Sequence, residues 1–162
     1  MISSVVNRRS LLAAGGLSLA AGVSQFLLPA RAEGLAATPS MPGGSNNYLK
    51  GAPIVERIGK GGFWMSRTAR RASHGASLAG QRIQIWAPTT EGQEHEPKSH
   101  GATLTDKNGV FRLEMPQIIP IFGQPHGHLA YDSGEFKTVF LRPIMRSAKE
   151  TSLEAHFVLQ PA

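Results

Sequence analysis

From residue 81 the chain reads Gln81-Arg82-Ile83-Gln84-Ile85-Trp86, which sets Ile83 and Ile85 on one face of an extended segment and Arg82, Gln84 and Trp86 on the other. The same period of two returns after the tight-turn sequence Asp106-Lys107-Asn108-Gly109. There Phe111, Leu113 and Met115 alternate with Val110, Arg112 and Glu114 until Pro116 ends pairing. Nowhere after residue 53 does a sustained helical period follow. Further strands are expected at 63–68, 126–131, 136–141 and 155–159, with a turn at Ser73-His74-Gly75-Ala76 and one helical turn within 147–153. Six or seven short strands in ~100 residues predict an all-β chain folded as an antiparallel β-sandwich.

The first 32 residues read as an address. Arg8-Arg9 precedes an apolar run from Leu11 to Leu28, and Ala30-Arg31-Ala32 is a small-x-small cleavage site, the pattern of a twin-arginine export signal. Glycines, serines and a glutamine break the run, so it makes a poor permanent membrane span. Periplasmic or secreted delivery is therefore expected, with no stable anchor after cleavage. Residues 33–52 are rich in Gly, Pro, Ser and Asn and read as a flexible linker, and 53–162 as the folded domain.

Cleavage after Ala32 would remove Arg8, Arg9 and Arg31 and no acid, so the formal charge falls from +6 to +3 (14 Lys+Arg against 11 Asp+Glu). Arg67, Arg70 and Arg71 form a basic cluster without interleaved aromatics, which argues against nucleic acid as a partner. The chain has no cysteine, so thiolate metal sites and cysteine nucleophiles are excluded. Gly59-Lys60-Gly61-Gly62 reads as a strand-entry turn rather than a phosphate cradle.

His126-Gly127-His128 is the chemically suggestive motif. Residues two apart on a strand share a face, so both imidazoles can reach one point, an arrangement suited to iron, copper, zinc or nickel. The competing reading is a pair of polar surface histidines. A polar loop from Thr89 to Gly101 carries Glu94, His95 and His100, and one fold-back would bring any of them to the pair. Trp64 and Trp86 read as packing residues, and either could also line a ring-binding cleft.

Leu78-Ala79-Gly80, the strand ending Ile85-Trp86, Leu104-Thr105-Asp106-x-x-Gly109 and His126-Gly127-His128, in this order, resemble the intradiol ring-cleavage dioxygenases, and part of the pattern is shared with transthyretin-like sandwiches. The resemblance spans 53–159. It implies a non-haem iron(III) centre held by two tyrosines, two histidines and hydroxide, with a catechol-type aromatic as substrate. His126 and His128 match the family's histidines. Its first tyrosine falls at Glu94 or His95, and its second within 113–117, where no tyrosine stands. Tyr48 and Tyr131 fit neither position. Gly123-Gln124-Pro125 stands where the family carries an arginine, and Thr138-Val139 where it carries a glutamine.

Without phenolates, Glu94, His95 or His100 would complete a two-histidine-plus-carboxylate or three-histidine set, which favours a divalent ion such as iron(II) or copper. Three functions stay open: an iron-dependent dioxygenase, a non-catalytic sandwich that binds a metal or an aromatic ligand, and a structural sandwich indifferent to both. A second subunit could also donate the missing ligands, which leaves room for a homo-oligomer. The export reading has its own test. Changing Arg8 and Arg9 together to lysine should leave folded precursor inside the cell, whereas undiminished periplasmic protein by fractionation would contradict it.

Overall fold

The structure, a computed structural model, describes residues 34–162, so the expected export signal lies outside the described residues. Eight strands follow one another: β1 (Phe63–Arg71), β2 (Arg82–Trp86), β3 (His100–Leu104), β4 (Val110–Met115), β5 (His128–Tyr131), β6 (Val139–Leu141), β7 (Ser152–Glu154) and β8 (Phe157–Leu159). They form two four-stranded sheets. One is antiparallel throughout, in the order β3-β2-β5-β6; the other places β4 on one side of β1 and β7 with β8 on the other. β4 runs antiparallel to β1, while β7 and β8 run parallel to it in one continuous register (Trp64↔Ser152, Ala69↔Phe157). At the break between them Arg67 has φ 150 and pairs with Glu154 at 2.8 Å.

The alternation seen in the sequence produces the core. Phe63, Met65, Phe111 and Leu113 from one sheet meet Ile83, Ile85, Leu129 and Tyr131 from the other, all essentially out of water. Each such side chain contributes ~1.5–3 kcal/mol by leaving water. The sandwich follows from that pattern. Two local expectations change. Residues 147–153 hold a single turn, closed by Glu150 N–H to the Ser147 carbonyl at 3.1 Å, instead of a helical turn. β3, inside the expected polar loop at its start, is a strand because His100–Leu104 pairs in register along the whole of β2.

The segment expected as a flexible linker is docked as a strap from Leu35 onwards, where Leu35 N–H bonds the Ala72 carbonyl at 2.7 Å. Thr38 N–H bonds Val158 of β8 (2.9 Å), Met41 N–H bonds Phe140 of the edge strand β6 (2.8 Å), and Val55 N–H bonds Ala102 of the opposite edge, β3 (3.0 Å). Between those edges the chain crosses the outer face of the β3-β2-β5-β6 sheet. There Asn46 and Leu49 carbonyls accept from Trp86 Nε1 (2.9 Å) and Gln84 Nε2 (2.8 Å). Its composition offers few apolar groups, but its backbone satisfies two sheet edges and two buried side chains. Gln84 and Trp86 are consequently fully buried, so β2 is covered on both faces and not half-buried.

Gly44 sits where the strap touches β6. A Cβ there would lie 2.8 Å from the Phe140 carbonyl oxygen and 2.9 Å from that of Met41, both backbone atoms that cannot step aside. Gly44→Ala should therefore cost ~1–3 kcal/mol and lift the strap. Limited proteolysis should show faster cleavage within 38–50 with the 53–162 body intact; unchanged cleavage would contradict the docking described here.

Candidate metal centre

β5 begins at His128, and His126 precedes it on extended backbone bridged to Ile144 and flanked by the Gly127 N–H to Pro143 and Met145 N–H to Pro125 bonds. Gly127 faces the core between them. A Cβ there would stand 2.8 Å from Met65 Cε, so only hydrogen fits without moving that side chain. Both imidazoles are thereby turned to the outer face, with centroids 5.0 Å apart and planes at 77°. The loop after β2 brings Glu94 onto the same point. Its Oε2 lies 3.3 Å from His128 Nε2 and 3.6 Å from His126 Nε2. One ligand atom from each of Glu94, His126 and His128 falls within 4.8 Å of the others.

The surroundings decide which atoms are free. A carbonyl can only accept, so His128 Nδ1–H donates to Gly44 O (3.1 Å), which leaves its Nε2 as a lone pair; His126 Nδ1 faces both the Gln124 carbonyl (2.9 Å) and an Arg142 guanidinium nitrogen (3.4 Å), and the shorter contact, with Nδ1–H donating, leaves its Nε2 free as well. Asn47 Nδ2 donates to Glu94 Oε1. That leaves Oε2, and Glu94 Oε2 and His128 Nε2 are both buried without a hydrogen-bond partner. The side chain of His128 has no exposed surface, that of His126 6%, and that of Glu94 20%. Burial, ahead of the repulsion from His126 and Arg142, pushes the His128 imidazole below its ordinary value against the opposing pull of Gly44 and Glu94. His128 is thus a neutral donor.

His100 and His95 do not join the three. His95 is exposed, and His100 lies on the far side of Trp86, where its Nε2–H holds the Glu94 carbonyl at 2.8 Å. Cross-strand register explains this: Trp86 pairs with His100 on one side and His128 on the other, and the indole stacks between the two imidazoles at 5.5 and 5.1 Å. His100 therefore anchors the loop that presents Glu94. Tyr48 packs on Trp86 and donates to Asp132; burial, then that bond, pushes its phenol up to about 12. Tyr131 faces the core, where its hydroxyl accepts from Phe136 N–H at 3.3 Å.

Three contributors escaped the sequence reading. Gly44 and Asn47 lie in a segment that looked like linker. Arg142, just past β6, sets a guanidinium nitrogen 3.4 Å from His126 Nδ1, with its Nε buried and unpartnered. The Asn46-Asn47 pair after two glycines was the one available signal, since Asn favours the left-handed turn conformation found at Asn47 (φ 56).

No protein-family model and no curated protein matches the sequence. Solved structures do. A hydroxyquinol 1,2-dioxygenase from Pseudomonas putida DLL-E4 superposes with a TM-score of 0.58 at 11% identity, covering 79% of this chain and 68% of that one. A 3-chlorocatechol 1,2-dioxygenase from Rhodococcus opacus 1CP gives 0.58 at 14%, covering 81% and 75%. The dioxygenase domain of a dioxygenase carbohydrate-binding protein fusion from Streptomyces sp. SirexAA-E gives 0.55 at 11%, covering 81% and 99%. The fold is accordingly the β-sandwich of the intradiol dioxygenases.

Burial also lowers His100. For both histidines the folded-state value lies below the unfolded value of ~6.5, so their contribution to stability is full above that pH and is lost as pH falls below it. The urea midpoint of the metal-free chain should therefore drop between pH 7.5 and 5.5, and His128→Gln should flatten the slope. An equal slope in that variant would contradict the neutral, buried assignment.

Proposed function

We propose that this chain is a non-haem metal protein of the intradiol-dioxygenase fold in which Glu94, His126 and His128 hold one divalent ion, iron(II) foremost, and which oxygenates a small catechol-type aromatic. The observation that carries this reading is the convergence of two buried, unpartnered acceptor atoms, Glu94 Oε2 and His128 Nε2, with the free Nε2 of His126. Two imidazoles and a carboxylate are a donor set for iron(II) in oxygen chemistry. An iron(III) centre with two phenolates does not fit these residues. Tyr48 is bound to Asp132, and Tyr131 points into the core.

When bound, the ion would supply coordination for the catechol oxygens and promote reaction of the ring with dioxygen. The chain's own residues do the rest. The Gly44 and Gln124 carbonyls fix the ring orientation of the two histidines, Glu94 offsets one unit of the ion's charge, and Trp86 forms a rigid aromatic wall behind His128. Arg142 adds positive charge beside His126, which favours an anionic ligand. The Arg8-Arg9 and Ala30-Arg31-Ala32 motifs support export to the periplasm.

A second reading, ion binding without turnover, draws on the strap, which leaves His128 no exposed surface. Metal analysis of natively exported protein, followed by oxygen-electrode assays with catechol and hydroxyquinol, separates the two. The expected result is about one ion per chain and oxygen uptake that chelation and His128→Ala both abolish. Metal without uptake supports the second reading. A folded chain that takes up no metal would overturn both.

A further inference from the structure

The strap does more than cover the sheet. Two of its residues touch two of the three ligand side chains from outside: the Gly44 carbonyl fixes the His128 ring, and the Asn47 amide donates to Glu94 Oε1. Asn47 does so from a backbone conformation, φ 56, that costs most L residues energy and that Asn tolerates better than most. From that turn its side chain reaches the carboxylate. The turn coincides with the place where the strap crosses from Gly44 at His128 to Asn46 at Trp86.

A carboxylate with both oxygens free can take an ion through one or both of them. With one lone pair of Oε1 committed to an amide N–H, the unpartnered Oε2 is the favoured ligand atom. We propose that Asn47 is a positioning residue of the metal centre, which holds Glu94 to a single-oxygen mode and so keeps one more position on the ion open for an outside ligand. The inference rests on the metal reading above and adds to it the origin of the open position. The amide donor, not the loop alone, sets the mode, so removing the donor while preserving the turn should release Oε1. Glu94 then closes on the ion with both oxygens.

Two variants respect the backbone. Asn47→Gly removes the amide at a residue type that adopts positive φ freely, and Asn47→Asp keeps the shape while exchanging the donor for an acceptor. Cobalt(II) is the probe, because its visible bands weaken as coordination number rises. The full chain should bind one cobalt(II), and azide should shift its visible spectrum. Asn47→Gly should give weaker cobalt bands and at least a tenfold loss of azide affinity, while circular dichroism and the metal-free melting profile stay those of the parent. Asn47→Asp should follow it and not the parent.

A parent-like cobalt spectrum and azide affinity in both variants would overturn the positioning role and leave the metal reading standing. Absence of a cobalt band in the unaltered chain would overturn the metal reading and the positioning role with it. If Asn47→Gly unfolds, Asn47→Asp carries the same two outcomes.

Discussion

A neutral imidazole nitrogen and a carboxylate oxygen, both out of water, face each other across 3.3 Å. Two acceptors in that position repel unless a cation lies between them, and in a buried place that repulsion is weakly screened. The cation could be a proton on His128. Burial opposes that form, and the ring's one certain proton is already committed to the Gly44 carbonyl. The proposed divalent ion, shared with His126, would resolve the conflict and use the second free nitrogen as well.

The arrangement depends on chain segments distant in sequence. Gly127 allows the two histidines to present one face because a hydrogen, and not a methyl, meets Met65. His100 pins the Glu94 loop from behind Trp86, and the indole separates it from His128. The strap closes the site from the solvent side, 84 residues before His128 in the chain at the Gly44 contact. Its hydrogen bonds reach both edges of one sheet, and in that docked position it brings Gly44 to His128 and Asn47 to Glu94.

The sandwich was legible because large apolar residues alternate along β2 and β4, and turn residues separate them. β3 was not, since His100-Gly101-Ala102-Thr103-Leu104 carries one large apolar residue and owes its strand state to pairing with β2. The strap escaped for a related reason: its stability lies in backbone hydrogen bonds that composition does not register. Among the ligand candidates the histidine pair was visible through spacing, which geometry turns directly into a shared face. The loop offered Glu94, His95 and His100 as equals. Only the fold distinguishes them, because which loop residue points inward depends on the Pro97–Ser99 turn and on Trp86 occupying the space between His100 and His128.

The most direct test of the account is anomalous diffraction at the metal edge from crystals of the metal-loaded protein. The account predicts one peak per chain, about 2.0–2.2 Å from Glu94 Oε2, His126 Nε2 and His128 Nε2 and bonded to no tyrosine oxygen. A peak elsewhere, or one coordinated by Tyr48 or Tyr131, would contradict it.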